Sequence, residues 1–190
     1  MKAELDKRLV EDFPILYRMR NGSITDTCMS WGFECDDGWY ELIYELSEKL
    51  EEIARSQPKP AHFPLWKKPF WYILDKIAVF LRKHKMQNVL PPPVFSLFWG
   101  FAHDMFMPEA DMRLCADQVK EKFGTLRFYT NMTNDEIDEI IVKAEQKSAT
   151  ICEACGKPGT IDTFLWKKAL CKKHRAEWNN ARKLNYISEV

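Results

Sequence analysis

The sequence carries no net charge, because 28 Lys and Arg balance 28 Asp and Glu among its 190 residues. That balance excludes a polybasic chain that coats nucleic acid without discrimination. It also lacks any window of the roughly 20 uncharged apolar residues that a membrane-spanning helix needs. The most apolar run, Phe70 to Leu81, is short and includes Asp75 and Lys76. Met1 to Asp12 is charged and has no apolar h-region, so no signal peptide is predicted. A Gly-rich phosphate loop, an HExxH motif and a nucleophile with a partner histidine are all missing. No internal repeat or low-complexity tract occurs. What remains is 46% hydrophobic and 29% charged, the composition of a globular domain and not of a disordered chain. A length of this order fits one domain, or one domain and a small satellite. The expected compartment is a reducing cytoplasm.

Six cysteines are present, and their spacing argues against a disulfide framework. Cys152-Glu-Ala-Cys155 is followed by Cys171-Lys-Lys-His174. Two chelating pairs separated by a loop of this length are the pattern of a structural zinc site. Cys28, Cys35 and Cys115 are scattered among apolar residues and read as buried free thiols. Gly156 after Cys155 suggests a knuckle, Thr160 to Trp166 short strands, and Cys171 and His174 the first turn of a helix. Knuckle, hairpin and ligand-bearing helix together resemble a treble-clef zinc finger. Four protein ligands leave no open coordination position, which predicts a structural and not a catalytic ion. Between Thr150 and Val190, eight Lys and Arg face four acidic residues. That excess can contact phosphate, or it can be the solvated surface of a small domain that folds on its metal.

Ahead of this module the pattern is α+β: a small sheet of hairpins packed with amphipathic helices. Asn21-Gly22 between β-prone runs predicts a hairpin. Trp39, Leu42, Ile43, Leu46, Leu50 and Ile53 form one helical stripe over 38–56, with Asp36 or Asp37 as cap. Glu41, Glu45, Glu48, Glu51 and Glu52 fall on its wet side. Eight prolines punctuate 57–112, an aromatic-rich elaboration in which 70–85 fits a helix. Residues 117–130 read as two strands around Gly124, with Val119, Phe123, Leu126 and Phe128 inward. Thr133-Asn-Asp-Glu136 is a capping box that opens a helix reaching Ser148. The organisation is therefore a body over 1–148, including the 57–112 elaboration, and a zinc module over 149–190.

On the strand pair, inward Val119 and Leu126 leave Lys120, Lys122, Arg127 and Tyr129 on the outer face. Such a face holds a phosphate or an acidic partner, or it is a charged edge that prevents aggregation. Alternation turns Glu121 inward, where it needs an Arg or Lys partner. Glu34, Asp36, Asp37 and Glu121 would be the carboxylates of a metal-dependent hydrolase, while helix capping accounts for one or both Asp.

Three words in this order carry a resemblance: Gly32-Phe-Glu-Cys-Asp-Asp-Gly-Trp39, Gln118-Val-Lys-Glu-Lys-Phe-Gly-Thr-Leu-Arg-Phe-Tyr129, and the Cys152/Cys155/Cys171/His174 finger. Together they resemble a family of small proteins of bacteriophages and prophages, over about 10–56 and 115–178. The resemblance implies expression inside an infected bacterium and no particular activity. The expected function is therefore a non-enzymatic accessory protein that binds a bacterial host protein as inhibitor or adaptor. Trp66, Trp71 and Trp99 of the aromatic stretch are its candidate contacts. Nucleic-acid or nucleotide binding through Lys120, Lys122, Arg127 and the basic finger is the alternative, and hydrolysis the third.

Overall fold

The computed structural model describes residues 1–25, 27–59, 73, 76, 111–161 and 167–188, with 182–188 described by backbone alone. The chain divides into two units, Met1–Pro58 with Arg113–Val190, and Lys59–Met112. All elements numbered below belong to the first. Its two inner ends are joined where Leu114 N–H donates to Gln57 Oε1 at 2.6 Å. In the second unit Ile73 and Lys76 are helical, and the rest of the 70–85 segment lies outside the described residues.

Helix α1 spans Ala3–Asp12. The hairpin predicted around Asn21-Gly22 is not formed. Tyr17 N–H donates to Phe13 O and Arg20 N–H to Tyr17 O, so 13–20 winds in helical turns that Gly22 closes on Met19 O. Phe13, Leu16 and Tyr17 are buried, and their i, i+3, i+4 spacing suits a helix. The segment is apolar at both periods, and burial of that trio selects the helical one.

Strand β1 (Phe33–Glu34) lies parallel to β2 (Ala116–Lys122), which is antiparallel to β3 (Thr125–Thr130), in the order β1-β2-β3. Phe123 and Gly124 form the two-residue turn with φ of 56° and 83°, the two positive angles that match a hairpin's twist. Phe123 is therefore not inward: it sits at the tip, 65% exposed, while Val119, Leu126 and Phe128 are buried as expected. The free edge of β3 is closed by side chains of α3 (Asp135–Ser148). Ser148 Oγ accepts from Leu126 N–H at 2.8 Å and Glu145 Oε1 from Phe128 N–H at 3.1 Å. An edge whose donors are taken cannot template another strand. The cap of α3 is Asn134, whose Oδ1 accepts from Ile137 N–H, and not Thr133, whose hydroxyl turns to Asp138.

Helix α2 spans Tyr40–Ser56, after a 3-10 turn over Asp37–Trp39. Neither Asp36 nor Asp37 caps it. Asp37 instead accepts from Lys2 N–H at 2.7 Å and pairs with Lys2 Nζ at 3.0 Å. Leu42, Ile43, Leu46 and Leu50 are buried in the core as the stripe predicts, where α2 packs on α3 and α1.

Glu51 departs from the pattern: it is 3% exposed. Its carboxylate accepts from Leu16 N–H at 2.7 Å and Ile15 N–H at 3.4 Å, and pairs with Arg55 at 3.1 Å. Helical turns leave their first N–H groups without partners, and Glu51 supplies the acceptors from another element. Replacing Glu51 by Ala leaves a buried N–H unsatisfied, which costs about 1–3 kcal/mol. A urea midpoint indistinguishable from wild type would contradict this role.

The C-terminal module adds the antiparallel pair β4 (Thr160–Ile161) and β5 (Ala169–Leu170), then helix α4 (Lys172–Ser188). The fold is thus α+β with small sheets.

Candidate metal centre and outer sheet face

Cys152 and Cys155 lie on a tight turn in which Cys155 N–H and Gly156 N–H both donate to Cys152 O, while Cys152 N–H donates to Lys157 O. Cys171 immediately precedes α4 and His174 sits in its first turn. Local structure thus presents each pair, and the pairing of β4 with β5 brings the pairs together. Nδ1 of His174 lies 3.4 Å from Sγ of both Cys152 and Cys171, and Cys155 Sγ lies 4.0 Å from Cys171 Sγ. All four donor atoms fall within 4.8 Å of one another.

The electrostatics suit a cation. Hydrogen bonding from the His174 backbone N–H at the start of α4 draws the Cys171 thiol down to about 6. Burial pushes Cys152 up, but amides of Cys171, Cys155 and Ala154 and the His174 ring outweigh it and leave the thiol depressed. Cys155 gains from the Lys157 amide, yet burial and the neighbouring Cys152 and Cys171 sulfurs hold it above its ordinary value. Three sulfurs this close cannot all ionise unless a cation sits among them. The residues present therefore fit a metal ion.

The turn is also a docking point for the body. Gly38 N–H donates to Glu153 O at 2.7 Å, and Trp39 Nε1 donates to Ile151 O at 3.0 Å. Glu153, 1% exposed, accepts from Asp36 N–H at 3.2 Å and from Lys168 Nζ at 3.0 Å. Burial raises its carboxyl above the usual range and Lys168 opposes that. Lys168 also reaches Asp36 at 3.5 Å and stands 5.4 Å from the Trp178 ring centre. Sequence reasoning missed Glu153 and Lys168. A Glu inside a Cys-x2-Cys turn, where small or basic residues suffice, was the available signal.

Glu34, Asp36, Asp37 and Glu121 are not brought together. Glu34 accepts from Gln118 Nε2, Asp36 faces Lys168 and Asp37 faces Lys2. The half-buried Glu121 takes a backbone donor, Gly124 N–H at 2.6 Å, in place of the expected cation. Among the described residues the Cys3His group is the one cluster of His, Cys, Asp or Glu able to hold a metal ion. Of the other thiols, Cys35 and Cys115 are buried as expected and burial pushes Cys35 up to about 12. Cys28 is exposed, because its 3-10 turn buries Met29 instead.

The outer sheet face carries Lys120, Lys122 and Tyr129 as predicted, with Tyr129 42% exposed. Lys120 Nζ lies 5.6 Å from the Tyr129 ring centre and Lys122 Nζ 5.4 Å from that of Phe123. No carboxylate of the described residues pairs with either lysine. Arg127 is withdrawn from this set, since Nη1 pairs with Glu145 at 3.2 Å. Trp66, Trp71 and Trp99 lie outside the described residues.

Fold and site define an α+β protein with a Cys3His cluster near its C-terminus. No family model, no curated protein and no solved structure matches the chain. No helix among the described residues is long and apolar enough to cross a membrane.

Proposed function

We propose that the Cys3His cluster holds one structural zinc ion in a treble-clef-like module, and that the chain is a non-enzymatic binding protein of the phage and prophage type. The donor spacing carries the metal reading. Zn–S near 2.3 Å and Zn–N near 2.0–2.1 Å make tetrahedral edges of about 3.8 Å between sulfurs and about 3.6 Å between sulfur and nitrogen. The 4.0 Å and 3.4 Å separations lie close to these edges. Soft thiolates with one imidazole select zinc over the hard cations. With all four positions filled by protein the ion stabilises the fold and offers no site to a substrate.

The partner is a bacterial host protein in the cytoplasm, which the chain inhibits or adapts. The aromatic richness of 57–112 and the resemblance to phage proteins support this reading. Replacing 60–110 by a short linker is expected to abolish capture of a host protein from lysate at high salt while leaving one zinc per chain. Retained capture would refute it.

A second reading, nucleic-acid binding, is favoured by Lys120 and Lys122, two cations with no ion-pair partner among the described residues and beside exposed aromatic rings. Single-stranded nucleic acid binds by stacking bases on aromatic faces along a cationic track. Affinity for an oligonucleotide would then fall steeply with salt, and charge reversal at Lys120 would flatten that slope.

A further inference from the structure

Between Ala116 and Gln118 the ladder to β3 slips: Ala116 is opposite Thr130, Gln118 is opposite Tyr129, and Asp117 has no partner. This bulge sets two consecutive side chains, Asp117 and Gln118, into one groove of about 390 Å³, with Tyr129 across the strand and Ile24 and Thr27 on the facing loop. Bulges re-aim side chains in this way beside functional sites. The volume lies within the range of small-ligand pockets.

The chemistry of the groove is specific. The Asp117 carboxylate accepts no hydrogen bond from the described residues. It is partly desolvated, which raises it, and Arg18 opposes that from a distance. Arg18 spends its own donors on the carbonyls of Ile15, Leu114 and Arg113. An ionised carboxylate is acceptor-only, so the missing component is a group with two adjacent donors. Tyr129 offers a flat, half-open ring beside it. Lys120, paired with no carboxylate of the described residues, stands over that ring with Nζ 5.6 Å from its centre.

We propose that this groove is a pocket for one unstacked nucleobase, and that the base is guanine. Among the four bases only guanine presents two neighbouring donors, N1–H and N2–H, on its Watson–Crick edge. They would meet the two oxygens of Asp117 while the ring stacks on Tyr129 and the 5′-phosphate faces Lys120. Readout of a splayed base by edge hydrogen bonds and aromatic stacking is the general mode for single strands. The proposal rests on the nucleic-acid reading and adds to it a base preference.

The test is an NMR titration of the full, metal-loaded chain with GMP, AMP, CMP and UMP. GMP is expected to give saturable shifts at Asp117, Tyr129 and Thr27 and to bind at least tenfold more tightly than the other three. Asp117→Asn is expected to erase that preference, because its amide places a donor against a donor. Tyr129→Ala is expected to weaken all four about tenfold or more, in line with the stacking contribution of one base. Unchanged metal content and thermal midpoint would show that both variants fold. Equal affinity for the four nucleotides, no saturable binding, or a guanine preference that survives Asp117→Asn would overturn the pocket. A salt-sensitive oligonucleotide complex without base preference would overturn it too, while leaving the lysine face as a binding surface.

Discussion

Cys152→Ser is expected to carry less than stoichiometric zinc and to lose ordered structure from about residue 150 onward. The reason lies in how little apolar surface the module buries. Among its described residues only Cys152, Ala169 and Leu170 are buried apolar groups. Full burial of a Leu side chain contributes about 1.5–3 kcal/mol, and the two smaller ones less. Fixing the backbone costs about 1–2 kcal/mol for every residue ordered, so a few residues already exceed that gain. A structural zinc site supplies apparent binding energies of about 10–16 kcal/mol at neutral pH, which is the scale required. Metal analysis should therefore find one zinc per wild-type chain. A strong chelator should remove hydrogen-exchange protection from 151–161 and 167–181 in the wild type, as the substitution does. The body should be destabilised as well, since Trp39 and Gly38 lose their acceptors on Ile151 and Glu153. A metal-free chain with unchanged protection would refute the metal as the organiser of the module.

Gly38→Ala is expected to produce the largest loss of stability of any Gly→Ala change among the described glycines. A Cβ at Gly38 would stand 2.2 Å from Cys152 O, 2.5 Å from Glu153 O and 2.5 Å from Gly156 N. All three are backbone atoms of the metal-binding turn, so no side-chain rotation relieves the contact. Either the turn moves off the body or the 3-10 turn before α2 unwinds. Overpacking usually costs about 1–3 kcal/mol, and a backbone collision belongs at or above the top of that range. At about 3–4 kcal/mol, a domain of this size should melt roughly 10 °C lower. The ligands are held by local turns, so the variant should still bind one zinc. Lost docking with retained metal separates the roles of Gly38 and the cysteines. A thermal midpoint within about 2 °C of wild type would exclude the close approach.

That approach also shows what the segment from Gly32 to Trp39 does in the fold. In Gly32-Phe-Glu-Cys-Asp-Asp-Gly-Trp39 the two aspartates read as helix caps, and helix capping needs only a neighbour in sequence. Their actual partners, Lys2 and Lys168, are distant in sequence. Gly38 and Trp39 in turn meet the Cys152-Glu-Ala-Cys155 turn over 110 positions further on. No local pattern encodes such a pairing.

Where an interaction is local, the residues themselves determined it. Periodicity set the α2 stripe, a strand pair around Gly124, and the helix ending at Ser148, because burial on one face repeats at the period of the element. Ligand spacing set the Cys3His group, because a chelating pair needs only one turn. Tertiary structure alone decided the rest. It chose helical turns over a hairpin at 13–22, since Phe13, Leu16 and Tyr17 suit either period until a core selects one. It buried Glu51, which the helical wheel places in water, because the amide of Leu16 needed an acceptor. It took Arg127 out of the cationic face and gave it to Glu145. It opened the groove at Asp117 through a one-residue slip of register. Each of these turns on a partner far away in sequence, and it is the packing that supplies that partner.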